Sequence, residues 1–339
     1  MQAKGNAPPV GTIFDAAFSR SEHVLALAVL YKLQAARDLR VASLSVSRAD
    51  LRATALCDAL ARYLSGSGSR NVAPVAMSSH EMQALAAKPM IEAVLNEKTP
   101  AGEPRYPQGI NKLNDTAEAA AMIRNGISAQ QPGNGAVVVA GPLTNIAAAM
   151  VLPDVKDLVP KRVRALVIAA TPDELRADLP AARKVLADWA SPVIFVEAPN
   201  LAFPGAQLES RFAWAPNHPV REAYKAFQTM PYDAPLASAA AVLYAARPSS
   251  DLFMLSSAGT LELADNGIVR LEASGAGTRK FVRIQVNQQE AAVQALVELI
   301  TAQPAPPPAG RGRGGPPQPW PGNFATFSSS LPADSSPCC

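Results

Sequence analysis

Residues 136–140 are an uninterrupted apolar run, and Gly141-Pro142 breaks it. A run that short with no polar face reads as a strand buried on both sides. Thr144 or Asn145 is then placed to cap a helix starting near Ile146. The same alternation recurs along the chain. Strands are predicted at 11–15, 40–47, 73–77, 162–169, 192–196 and 281–286. Between them, helical patterns cover 51–64, 116–127, 179–189, 220–228 and 288–302, with an Ala-rich helix ending near Ala246. The helix opened by Glu22 carries an apolar stripe through Val24, Leu25, Leu27, Leu30, Tyr31 and Leu33. Residues 78–114 are harder to read, mixing a short helix with a Pro- and Gly-punctuated loop that serves either as a lid or as a surface insertion. Near the end, LEL and IVRL flank Asp265-Asn266-Gly267, the signature of a β-hairpin.

Strands alternating with helices predict an α/β fold: a mostly parallel open sheet with helices on both faces and a late hairpin. One domain is expected over 10–302, after a loose leader at 1–9. Ten of the 31 prolines lie beyond Gln303, with Gly-Arg pairs at Arg311 and Arg313 and a Ser-rich end. Residues 303–339 therefore predict a disordered tail, with a polyproline ligand as the other reading.

Composition narrows the function classes. With 339 residues, 48% apolar and 17% charged, the chain can bury a sizeable core. A net charge of +3 gives no argument for nucleic acid. No apolar run is long enough to span a membrane, and none near Met1 reads as a signal-peptide core, so the compartment stays open. Three cysteines make no disulfide framework: Cys57 reads as a buried thiol, and Cys338 and Cys339 lack the basic run that accompanies lipidation.

In a parallel sheet the carboxyl ends of the strands gather ligands. Asp15, Glu22, the Ala140 carbonyl and Asp233 are placed to converge there as a hard-cation site, with calcium favoured over zinc because no His or Cys takes part. Each also has a plain reading: Asp15 ends a strand, Glu22 complements a helix dipole, and Asp233 caps the helix after Pro235. Spacing alone leaves both readings open. His80 and His218 fall in loop-like contexts and read as surface residues.

The segments FDAAFSRSEHVLALAVLY, VVVAGPLTNIAAAM and MPYDAPLASAAAVLYAARP together resemble the inosine-uridine nucleoside hydrolase family in order and spacing over about residues 10–300. The resemblance implies hydrolysis of the N-glycosidic bond of ribonucleosides, with a calcium ion on the ribose hydroxyls and an Asp that activates water. It also implies a ribonucleoside or other ribosyl partner and homo-oligomers. The family pattern D-x-D-x-G-x-D-D falls on Asp15, Ala17, Ser19, Ser21 and Glu22, so the base and ligand position is Ala17 and the sugar-binding position is Ser21. The base-protonating His of some members falls on Tyr232, and the ribose-contacting Asn on Glu174. Asp15, Asp173 and His23 are the remaining candidates for a replacement base, although a side chain at the second helical position is expected to point away from the site. The implied alternatives are a hydrolase with impaired or rebuilt chemistry and a non-catalytic homologue that binds a ribosyl ligand or a protein partner.

Overall fold

The computed structural model describes residues 8–66, 72–81, 88–274 and 277–303. Apart from Pro8, Pro9 and Gln303, the expected leader and tail lie outside the described residues, as do Cys338 and Cys339. The first half of the chain runs β1 (Val10–Ala16), α1 (Ser21–Ala35), β2 (Leu39–Val46), α2 (Leu51–Ser65), β3 (Val75–Met77), α3 (Lys88–Leu95), β4 (Ala117–Glu118) and α4 (Ala119–Ser128). It continues through β5 (Gly135–Ala140), α5 (Thr144–Met150), α6 (Val155–Arg162), β6 (Val163–Ile168), α7 (Pro172–Arg176), α8 (Leu179–Asp188) and β7 (Val193–Glu197). The last part holds β8 (Ala202–Phe203), α9 (Leu208–Arg211), α10 (Pro219–Phe227), β9 (Ala234–Pro235), α11 (Ala237–Ala246), β10 (Phe253–Leu255), β11 (Gly259–Leu263), β12 (Val269–Ala273), β13 (Arg279–Ile284) and α12 (Gln289–Thr301).

Eleven strands form one sheet in the order β12-β11-β13-β7-β6-β5-β1-β2-β3-β4, with β10 paired to β13. From β4 to β7, and on to β13, every pairing is parallel; β10, β11 and β12 supply the antiparallel ones. The chain leaves β1 toward β2, β3 and β4, then returns to lay β5, β6 and β7 on the other side. The reversal falls between β1 and β5, and open α/β sheets leave a crevice outside the strand ends at such a point.

Every residue of β1 and β5 is buried. The two-residue period of a strand sends alternate side chains to two apolar layers. Phe14, Ala16, Val138 and Ala140 join the layer built with α1, α2, α10, α11 and α12. Ile13, Val137 and Val139 join the layer built with α4, α5, α6 and α8. Helix α1 is buried around most of its circumference, from Ser21 to Tyr31 without a break. The expected apolar stripe is thus too narrow, because α2, α10, α11 and α12 all pack on α1.

The hairpin forms as predicted, β11 pairing antiparallel with β12 across the Asp265–Gly267 turn. The helix at 155–162 has no counterpart in the sequence reading. Pro160 lies inside it, and a proline there argues against a helix until the neighbours are known. The described part of 78–114 is tied down rather than free: the Gly109 N–H donates to Asp58 Oδ2 (2.5 Å), and the Tyr106 hydroxyl donates to the Asn217 carbonyl (2.6 Å).

Candidate functional site

The turn after β5 explains its own sequence. Gly141 has φ 150°, and a Cβ there would sit 2.9 Å from the Ala17 nitrogen and 3.0 Å from Ser47 Oγ. Only glycine allows β1 and β5 to approach so closely at their ends. Neither Thr144 nor Asn145 caps the following helix, which begins at Thr144 after Leu143. Thr144 Oγ1 instead donates to Asp178 Oδ2 (2.8 Å), and Asp178 itself caps α8 by accepting from Ala181 N (3.1 Å). Asn145 Nδ2 donates to Asp15 Oδ1 (2.8 Å) and to the Val46 carbonyl (3.2 Å). The asparagine therefore ties α5 to β1 and β2 at the point of reversal.

Asp15 is wholly buried and also accepts from Ser45 Oγ (2.5 Å), while its Oδ2 has no hydrogen-bond partner. Burial pushes its pKa up to about 7, although the bonds from Ser45 and Asn145 pull the other way. Strand parity decides where this carboxyl points. In register with Ser45 and Val139, it turns toward α5, whereas Glu22 rides on α1 in the other layer.

Asp233, expected as a further ligand or as a helix cap, does not cap the helix after Pro235. It is exposed, and its Oδ1 accepts from the Gly205 N–H (2.9 Å). Helix α11 starts after Leu236 without a side-chain cap. The Ala140 carbonyl accepts from the Ala17 N–H (3.1 Å). The Ala17 methyl, buried at the end of β1, offers no ligand and no base.

A different set comes together. Among the described residues, one group of three His, Cys, Asp or Glu side chains has its ligand atoms within 4.8 Å of one another: Glu22, His23 and Glu174. His23 does not point away from the site. Its Nε2 lies 3.2 Å from Glu174 Oε1 and 4.0 Å from Glu22 Oε1. Arg20 Nε also reaches Glu22 Oε1 (2.7 Å). Glu174 is fixed from its other oxygen, since Oε2 accepts from the Thr171 N–H and Oγ1 (both 2.9 Å) while Thr171 Oγ1 accepts from the Glu174 N–H, a capping box at the start of α7. Burial raises the Glu22 carboxyl above its usual range, against the pull of His23 and Arg20. Burial acts the same way on Glu174, but His23 and Thr171 outweigh it and leave the group below its usual value.

Asp173, exposed, pairs with Arg176 and faces away from this cluster's buried setting. Tyr232 stacks on Tyr224 with centroids 4.4 Å apart, and each phenol donates to the other's carbonyl (2.8 and 2.6 Å). Burial pushes the Tyr232 phenol up to about 12, with a hydrogen bond from Ser21 opposing, so it is neutral near pH 7 with its proton engaged. His80 is exposed as predicted. His218 is not: it lies buried among Tyr63, Phe212 and Trp214, its Nδ1 accepts from the Val220 N–H (3.3 Å), and burial lowers its pKa to about 4. Cys57 is a buried thiol, as expected.

A pocket of about 660 Å³ opens at the carboxyl ends of β6 and β7, lined by residues 169–172 and 196–201 together with Glu22, Pro235 and Arg283. It is of the size and place that small-molecule sites occupy in open α/β sheets. The residues around it do not fit a calcium ion. Calcium takes six to eight oxygens. Here Ala17 supplies none, Asp15 turns into the opposite layer, Asp233 is exposed and outside the gathered cluster, and the side chains that do gather include an imidazole.

No protein-family model matches the sequence, and no curated protein matches it. Solved structures do. An inosine-guanosine nucleoside hydrolase superposes with a TM-score of 0.64 at 16% identity, covering 87% of this chain and 99% of that one. A plant nucleoside hydrolase superposes at 0.62 and 18% identity, covering 87% and 100%. The type III effector protein XopQ, complexed with adenosine diphosphate ribose, superposes at 0.57 and 16% identity, covering 87% and 93%. With the order of the sheet and the place of its reversal, these similarities establish that the chain has the nucleoside-hydrolase fold.

Proposed function

We propose that this chain takes a ribonucleoside or another ribosyl small molecule in the pocket beside Glu22, and that N-glycosidic hydrolysis by a calcium-activated water is impaired. The observation that carries the reading is Ala17. Its methyl stands where the resemblance calls for the carboxylate that holds the metal and takes the proton from water, and losing a general base alone costs about 10²- to 10⁴-fold in rate. The ligand class is suggested by the structures that share the fold. The superposed hydrolases are named for nucleosides, and an effector of the same fold holds adenosine diphosphate ribose. Ser21 and Glu174 are the proposed sugar contacts, and Arg283 at the pocket wall, ion-paired with Glu197, would have to leave that partner to meet a phosphate if the ligand carries one.

Thermal unfolding with ribose, a ribonucleoside panel and adenosine diphosphate ribose tests it. A ligand held at a hundred times its dissociation constant stabilises the native state by about 2.7 kcal/mol. A clear rise in melting temperature with at least one ribosyl compound, lost when the Ala237 side of the pocket is filled by Ala237→Trp, is the expected result. No shift from any of them contradicts the reading.

A further inference from the structure

The structure carries a cluster that the calcium chemistry does not account for, and one of its members, Glu174, is also a proposed sugar contact. His23 is wholly buried at the start of α1, and neither of its ring nitrogens has a hydrogen-bond partner. Glu174 is buried too, and its Oε1 is likewise without a hydrogen bond. The His23 Nε2 and Glu174 Oε1 atoms stand 3.2 Å apart, an ion-pair distance for a protonated imidazole but poorly aligned for a hydrogen bond, and Nδ1 on the other side of the ring has no partner at all. An unmade bond at that depth is costly, so such groups call for a partner. Glu22 Oε1 closes the triangle at 4.0 Å from His23 Nε2.

We propose that Glu22, His23 and Glu174 form a binding site for a divalent transition metal of the manganese, iron, cobalt or zinc type. Two ligands each about 2.1 Å from one metal, at tetrahedral or octahedral angles, stand about 3.0–3.5 Å apart; His23 and Glu174 already have that spacing, while the Glu22 carboxylate, 4.0 Å from His23 Nε2, must turn inward to complete the set. Two carboxylate oxygens and one imidazole nitrogen suit these borderline ions and are too few and too mixed for calcium. Glu174 is held in place from behind: its capping box with Thr171 occupies Oε2 and leaves Oε1 for the metal, the kind of outer support that orients a ligand. Glu22 lines the pocket, so the ion's remaining positions face the space where a small molecule enters. Arg20 shares Glu22 Oε1 and is more than a third exposed, free to move outward when the ion arrives.

The test needs no nucleoside, so its outcome is separate from that of the ribosyl reading. Cobalt(II) is titrated into the metal-stripped full chain and followed by its visible absorption, with calcium as competitor. The expected result is one ion per chain, undisturbed by an equal concentration of calcium. His23→Gln and Glu174→Gln should each weaken binding by about tenfold or more. Glu174→Gln keeps an acceptor for the Thr171 capping box, and thermal unfolding of both variants in the absence of metal verifies that they are folded. A folded parent protein that gives no cobalt spectrum, or a spectrum unchanged in both folded variants, overturns the proposal.

Discussion

Replacing Asp15 with asparagine is expected to stabilise the protein at pH 8 by about 3 kcal/mol and to leave it nearly unchanged at pH 4. The reason is the raised pKa. Asp15 has no exposed surface, and burial moves its carboxyl from the usual 3.8 to about 7. Well below pH 4 the group is neutral in both folded and unfolded chains and costs nothing, and at pH 4 itself the cost is still small. As the pH climbs through 7 the unfolded chain has long been ionised, while the folded chain must now hold a buried carboxylate. The stability associated with the proton is therefore full below pH 4 and lost by the time the pH passes 7. Each pKa unit is worth about 1.4 kcal/mol, and partial relaxation of the site brings the total down to about 3. Asparagine keeps an oxygen for Ser45 Oγ and Asn145 Nδ2 and carries no charge. Urea unfolding of parent and variant across this range, read as their difference, checks the point and cancels every other titrating group. A variant equally destabilised at both ends would mean that Asp15 is held ionised, as by a bound cation.

Gly205→Ala is expected to destabilise the fold by about 3 kcal/mol or more, at the top of the range for overpacking. A Cβ at this position would lie 1.8 Å from the Tyr232 carbonyl oxygen and 3.0 Å from the Tyr224 hydroxyl. That carbonyl already accepts the Tyr224 hydroxyl at 2.6 Å, and the Gly205 N–H holds Asp233 Oδ1 at 2.9 Å. Nothing at the end of a flexible side chain can yield here, because the obstacle is backbone. The segment 232–233 must move by an ångström or more, breaking both bonds and unstacking Tyr232 from Tyr224. Chemical denaturation of the variant measures the loss, and a change under about 0.5 kcal/mol, the scale of a neutral surface substitution, would contradict it. Pro235, two residues beyond the displaced segment, lines the pocket, so ribosyl binding should fall with stability.

How far the sequence alone reaches can be seen residue by residue. The order of strands and helices, the hairpin at Asp265–Gly267 and the turn at Gly141 follow from local periodicity and breakers, which a single chain records well. Helix α6 was hidden by Pro160. The direction of Asp15 was legible in principle: strand parity puts it on the face of Ile13 and Val139, opposite α1, and that parity separates it from Glu22. The pairing of His23 with Glu174 was not legible, since it joins two helices far apart in the chain and no local pattern records it. Nor was the burial of His218, which depends on three aromatic rings from distant segments closing around it. Thr144 and Asn145 both read as caps because such side chains commonly cap helices; the bonds of Thr144 to Asp178 and of Asn145 to Asp15 are tertiary contacts that override that preference.

On the proposed reading, Ala17 removes the calcium-bound water chemistry while the ribosyl pocket remains. Release of free ribose from a panel of ribonucleosides, with calcium and again with chelator, tests it most directly, run beside Ala17→Asp. The expected result is calcium-dependent release by the variant and none from the parent protein within about 10²-fold of that rate. Calcium-dependent release by the parent, abolished by chelator and no faster in the variant, would contradict it.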